Sequence, residues 1–135
     1  MHRHILIPVA LDHEEVVPRK LEAARHLLDA GGKITLLTVL EDVPGFVAEF
    51  VDLKPENHLS TQIKAKLDGL ADGAADVVTD VTKGKAGVQI TFYAKDNDVD
   101  LIIVGSHHPT ATDYFLGSTA ARVARRAPCS VYILR

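Results

Sequence analysis

The sequence predicts an α/β fold: a single doubly wound domain spanning residues 1–135, with a five-stranded parallel sheet flanked by helices. Short apolar runs rich in β-branched residues are continuous, not alternating, so their strands must be covered on both faces. Segments with helical apolar spacing lie between them, as parallel strands require for their crossovers. Right-handed crossovers then lead to the strand order 3-2-1-4-5, reversing direction between strands 1 and 4. At 135 residues the chain can bury a substantial core without disulfides or metals.

His4 to Val9 (HILIPV) is the first strand, ended by Asp12, His13 and Glu14. Val17, Leu21, Ala24 and Leu28 recur at helical spacing until Gly31-Gly32, which are expected to stop the helix as left-handed caps. Lys33 to Leu40 (KITLLTVL) is the second strand. Pro44, Gly45 and Pro55 mark an irregular stretch. Inside it, Gly45 to Leu53 would place Phe46, Val47, Phe50 and Val51 on one stripe, over the ligand cleft or against a second subunit. A helix follows from about Ser60 to Leu70, with Ile63, Leu67 and Leu70 on one face. Val77 to Thr82 is the third strand, ended by Gly84, and a helix from about Gly87 to Asn97 leads to the fourth, Leu101 to Val104. After Gly105 and a polar loop, Gly117-Ser118-Thr119 open the last helix. Ala120, Ala121, Val123 and Ala124 of that helix should meet the sheet, with Arg122, Arg125 and Arg126 outward. Ser130 to Leu134 closes the sheet at an edge.

In a doubly wound sheet, ligands bind outside the carboxyl ends of the strands where the winding reverses. The loops from Pro8 to His13 and from Gly105 to Leu116 both fall there. Gly105 lets a ligand approach backbone without a Cβ in the way, and the first N–H groups of the helix opened by Ser118 lack intrahelical partners and favour an anion. A nucleotide phosphate suits that gap. Gly32-Lys33 and Gly84-Lys85 lack the spacing and the following Ser or Thr of a P-loop, so no P-loop lysine is expected.

Composition excludes other classes. A net charge of −3, 5% aromatic residues and no Trp offer neither a basic field nor a stacking platform for nucleic acid. The single cysteine, Cys129, permits no disulfide within the chain, which fits a reducing cytoplasm, and it reads as a small buried hydrophobe. The run from Ile5 to Leu11 is too short for a signal peptide or a membrane span. His2 and His4 share a strand face beside Arg3 and are expected to be solvated. The His107-His108 doublet has no companion cluster at ligand spacing, so neither a metal nor a catalytic role is assigned and a neutral contact to phosphate is the functional alternative to plain exposure.

ILIPV, LLTVL, DLIIVGSHH and LGSTAARVARRAPCSVYIL together resemble the universal stress protein family, over essentially the whole chain. The nucleotide-binding branch of that family carries a G-x2-G-x9-G-[ST] pattern. Gly105 and Gly117-Ser118 match it, His108 stands at the second glycine, and the loop from there to Gly117 is one residue short. A similar short loop, GSxxPxxxxxLLGS, occurs in a subgroup that binds ATP. The resemblance implies that Pro8 and Val9 line the adenine and ribose end and that the backbone of Val39 meets the adenine edge. It places Val104, Gly105, Ser106 and His107 at ribose and phosphate, and Gly117, Ser118 and Thr119 on the phosphates, with His108 and Ala10 counted among the candidate nucleotide-binding residues by position. Ala10 stands where ATP-binding members carry Asp, and Asp12, two residues on, is placed to reach the ribose hydroxyls instead.

The expected function is therefore binding of ATP or a related adenine nucleotide, with or without Mg2+, by a cytoplasmic stress-response protein acting through its bound state. The resemblance also implies a homodimer joined through the last strand, whose apolar edge calls for a partner. Phosphoryl transfer needs metal ligands, a base and a charge clamp, for which only Asp12, Asp113 and Arg122 are candidates, so slow hydrolysis at most is expected. Two alternatives stay open. One is a nucleotide-free dimeric module, favoured by Ala10 and His108. The other is an adenine nucleotide hydrolase, whose SGGxDS-like loop PVALDHEE does not resemble.

Overall fold

A computed structural model describes residues 1–41, 58–106 and 116–135. Strand β1 (His2–Pro8) leads through a short 3-10 turn into helix α1 (Val17–Leu27) and strand β2 (Leu28–Leu40). Helix α2 (His58–Ala71), strand β3 (Val77–Lys83), helix α3 (Ala86–Asp96) and strand β4 (Leu101–Gly105) follow. Helix α4 (Ser118–Arg126) and strand β5 (Ser130–Leu134) complete the chain. The sheet is parallel, with the predicted order β3-β2-β1-β4-β5.

Strand parity sorts the core into two layers. Ile5, Ile7, Leu101 and Ile103 pack on one face with Val17 and Ala24 of α1 and Ile63 and Leu67 of α2. Leu6, Leu37, Ile102 and Val104 pack on the other with Ile90 and Ala94 of α3 and Ala120 and Val123 of α4. Consecutive residues of β1 and β4 therefore all meet apolar neighbours, which explains their unbroken apolar sequence. Each fully buried Ile or Leu contributes about 1.5–3 kcal/mol. Ala124, expected against the sheet, is exposed, because only Ala120 and Val123 of α4 are fully covered.

Two expectations need correction. The glycines after α1 do not cap it: the helix ends at Leu27, and Gly31 (φ +82°) and Gly32 lie within the span of β2. The register jumps there from His2 opposite Leu28 to His4 opposite Lys33, so β2 carries extra residues that must fold out of the ladder. A side chain at Gly32 would meet the Arg3 carbonyl oxygen at 2.8 Å, so this glycine admits a close backbone approach.

The histidines of β1 are the second correction: His4 is 6% exposed, and the His2 side chain only 14%, so neither is solvated as expected. The His4 Nδ1 lies 3.0 Å from the Asn97 carbonyl oxygen, which can only accept, so Nδ1 carries the proton. Nε2 then accepts from the Thr35 hydroxyl at 2.8 Å. Both ring nitrogens of the neutral form are satisfied, and burial holds the pKa below the ordinary histidine value, partly opposed by the Asn97 bond. His4 thereby ties β1 to β2 and to the end of α3.

At the β5 edge, Val131 and Ile133 pack against the α3/α4 layer, while Tyr132, on the other side, is 40% exposed. Cys129 is half-buried, and burial raises its thiol pKa, as suits a packing role. No described helix is long and apolar enough to cross a membrane. The Gly45 to Leu53 stripe lies outside the described residues.

Candidate functional site

At the carboxyl ends of β2, β1 and β4 the sheet opens into a cleft of about 1100 Å³, bounded on its far side by the start of α4. Pro8, Val9, Ala10 and Asp12 line it from the end of β1, and Val39 from β2. Val104, Gly105 and Ser106 come from β4, and Gly117, Ser118 and Thr119 from the first turn of α4. His107, His108 and Asp113 lie outside the described residues.

Backbone bonds fix these walls. Val9 N–H donates to the Leu37 carbonyl at 2.7 Å, and the buried Thr38 hydroxyl donates back to the Val9 carbonyl at 3.0 Å, joining the ends of β1 and β2. Ser106 N–H donates to Leu134 O at 3.0 Å, and Gly117 N–H to Ser106 O at 3.3 Å, so the segment between them leaves and re-enters the fold at one place. Asp12 stands at the rim with an 81% exposed carboxylate, 3.6 Å from His13, where solvent and salt leave such a pair little strength.

The first α4 hydrogen bond of the backbone runs from Ala121 N–H to Gly117 O at 2.8 Å, leaving the N–H groups of Ser118, Thr119 and Ala120 ahead of it. No described side chain caps this end. An uncapped helix start facing a cleft suits an anion, through its N–H groups and the helix dipole together. Gly117 has φ −57° and ψ 154°, which any residue adopts, and a Cβ there would meet nothing within 4 Å. Neither backbone nor packing requires glycine at 117, and its absent side chain leaves the backbone there open.

The sequence pattern did not single out Lys20. It is 8% exposed, lines the cleft, and runs beneath Gly105, where a Cβ would lie 3.6 Å from its Cε and 3.7 Å from its Nζ. Burial lowers its pKa. A signal was present, because Lys20 falls between Val17 and Ala24 on the inward face of α1, where a charge is out of place.

Arg122 does not line this cleft but a neighbouring groove of about 970 Å³ that shares Ser118 and Thr119 with it. Lys83, Lys85, Arg125 and Arg126 make the groove basic, against one acid among its described lining residues, Glu41, whose carboxylate accepts from Ala86 N–H at the start of α3. The Arg122 stem crosses Gly87, where a Cβ would come within 2.6 Å of its Cδ. Among the described residues no cluster of three or more His, Cys, Asp or Glu could hold a metal ion.

The universal stress protein family profile matches residues 1–135. Universal stress protein A homolog 2 of Coxiella burnetii is 30% identical over 142 residues, covering 99% of this chain and 95% of its own. Universal stress protein G of Salmonella typhimurium is 26% identical over 145 residues, covering all of both chains. A universal stress protein solved in complex with cAMP has the same fold at TM-score 0.69 and 20% identity, covering 99% of this chain and 97% of that one. The Archaeoglobus fulgidus protein solved in complex with dAMP does so at TM-score 0.62 and 17% identity, covering 97% and 96%. Profile, full-length relatives and fold agree, and the chain belongs to the universal stress protein family.

Proposed function

We propose that this protein binds an adenine nucleotide in the cleft at the ends of β1, β2 and β4, and that it serves a cytoplasmic stress response through the bound state. The observation that carries the reading is the convergence of two unlike surfaces. Apolar strand ends at Val9, Val39 and Val104 suit a base, and the uncapped α4 N-terminus suits phosphate. The cAMP and dAMP complexes of structural neighbours support the same ligand class. The basic groove beside α4 supports a phosphate chain continuing beyond the cleft, as in ATP. Bound Mg2+ would find Asp12 and Glu15 as rim carboxylates on the β1 side; the function proposed is binding, not catalysis.

Protein stripped of endogenous small molecules should be stabilised by about 2.7 kcal/mol at an adenine nucleotide concentration one hundred times the dissociation constant. Thermal melts with millimolar AMP, cAMP, ADP and ATP test this. No shift with any of them would leave the nucleotide-free dimeric module as the function.

Pairing of two chains through β5 belongs to the same reading, since this strand ends the sheet order, its outward backbone groups pair with no described strand, and it carries the exposed Tyr132 ring. Tyr132→Glu should weaken the dimer at least tenfold by placing an unpaired carboxylate in the interface. Light scattering at matched concentrations checks it, and an unchanged dimer in the folded variant places the interface away from β5.

A further inference from the structure

The cleft holds a charge that the fold itself does not need. Lys20 occupies a core position of α1 between Val17 and Ala24 and is more than nine-tenths buried. Its ammonium makes no ion pair or hydrogen bond with any described residue. The acids sharing the cleft on that side, Asp12 and Glu15, are 81% and 71% exposed and turned to solvent. Neighbouring Arg19 gives its guanidinium to the Arg135 carbonyl at 2.9 Å. Alanine or leucine would fill the position without desolvating a cation. A buried ammonium that lines a cleft and meets no counter-charge among the described residues is complementary to an anion arriving in that cleft.

Its place along the cleft narrows the anion. The ends of β2, β1 and β4 are successive positions across the sheet, about 4.8 Å apart. Val39 and Val9 form the apolar end, Lys20 lies under Gly105 at the end of β4, and the α4 N-terminus lies beyond. The ammonium approaches from the α1 layer and the helix N–H groups from the α4 layer, on opposite faces of the sheet. Resting on the adenine-nucleotide reading above, we propose that Lys20 anchors the sugar-proximal phosphate of the ligand, so that the site selects nucleotides and rejects the corresponding nucleosides. Gly105 is then glycine so that no methyl stands between ammonium and phosphate.

The test compares AMP with adenosine by calorimetric titration of the full chain and of Lys20→Met, which keeps an unbranched stem and loses the charge. The wild type should prefer AMP by about 30-fold or more, as a charge-assisted contact provides, and Lys20→Met should bring the two ligands within about threefold. A wild-type preference retained in Lys20→Met overturns the proposal. If neither adenine ligand binds, inorganic phosphate separates the two readings: a phosphate-dependent rise in melting temperature lost in Lys20→Met keeps the anchor and removes adenine, and an equal rise, or none in either, removes the anchor. Should Lys20→Met not fold, Gly105→Ala serves, because its methyl would make only ordinary contact at 3.6 Å while covering the ammonium. Loss of the AMP preference there supports the anchor, and its retention overturns it.

Discussion

Gly117→Val is expected to weaken binding of ATP, whose outer phosphates would reach the start of α4, at least 100-fold while leaving the fold intact. A hundredfold loss corresponds to about 2.7 kcal/mol, roughly the worth of one or two hydrogen bonds from backbone N–H to a charged phosphate. The valine side chain would project into open space at the start of α4, where a phosphate must come within hydrogen-bond distance of the Ser118 and Thr119 N–H groups. Because φ is −57°, the substitution introduces no backbone strain. The entropy gained by restricting the unfolded chain is offset by the poorer standing of valine at a helix N-cap, so ligand-free stability should stay nearly unchanged. Titration calorimetry alongside a ligand-free melt separates the two effects. Unchanged affinity in a folded variant would move the phosphates away from α4.

The largest loss of stability short of a core deletion is expected at His4. His4→Ala removes a buried ring and leaves the Asn97 carbonyl and the Thr35 hydroxyl without their partner, for a combined cost of about 3 kcal/mol. The same residue gives stability a pH dependence. In the unfolded chain the imidazole takes a proton near its ordinary pKa of about 6.5; in the fold, burial delays protonation to lower pH. The unfolded state therefore binds more protons between those two values, and the His4 contribution, complete above pH 6.5, is lost as pH falls toward the folded pKa. The slope cannot exceed about 1.4 kcal/mol per pH unit for one group. Urea unfolding of wild type and His4→Ala at pH 7.5 and 5.5 checks both parts: the gap between them should narrow at the lower pH. A gap that stays constant would mean that His4 is not held neutral.

The fold was legible because the burial of strands from both sides, which chiefly drives it, is written directly in HILIPV and DLIIV. The strand order and the position of the cleft followed from topology alone. His4 was not legible as a buried group, and Lys20 only through its place on the inward face of α1: local sequence gives their polarity, but only tertiary packing brings Asn97 and Thr35 to the first and the space beneath Gly105 to the second. The glycines after α1 misled because the left-handed conformation serves a helix cap and a strand irregularity equally well. At the cleft, Gly105 and Gly117 were readable because sequence showed them at two element boundaries on the same side of the sheet. The basic groove was not, since Lys83 and Lys85 lie at the junction of β3 and α3 while Arg122, Arg125 and Arg126 come from α4, distant in sequence.

The bond from Gly117 N–H to Ser106 O separates the ligand-facing frame from the stretch of chain that spans it. With both anchors pinned together, the entropy of closing that span varies only logarithmically with its length, about 0.1 kcal/mol for one residue added to or taken from ten. Deletion or insertion there leaves the α4 N-terminus and the end of β4 where they were. The one residue missing there relative to the family pattern is therefore a change whose closure cost is small, whatever residues occupy the span.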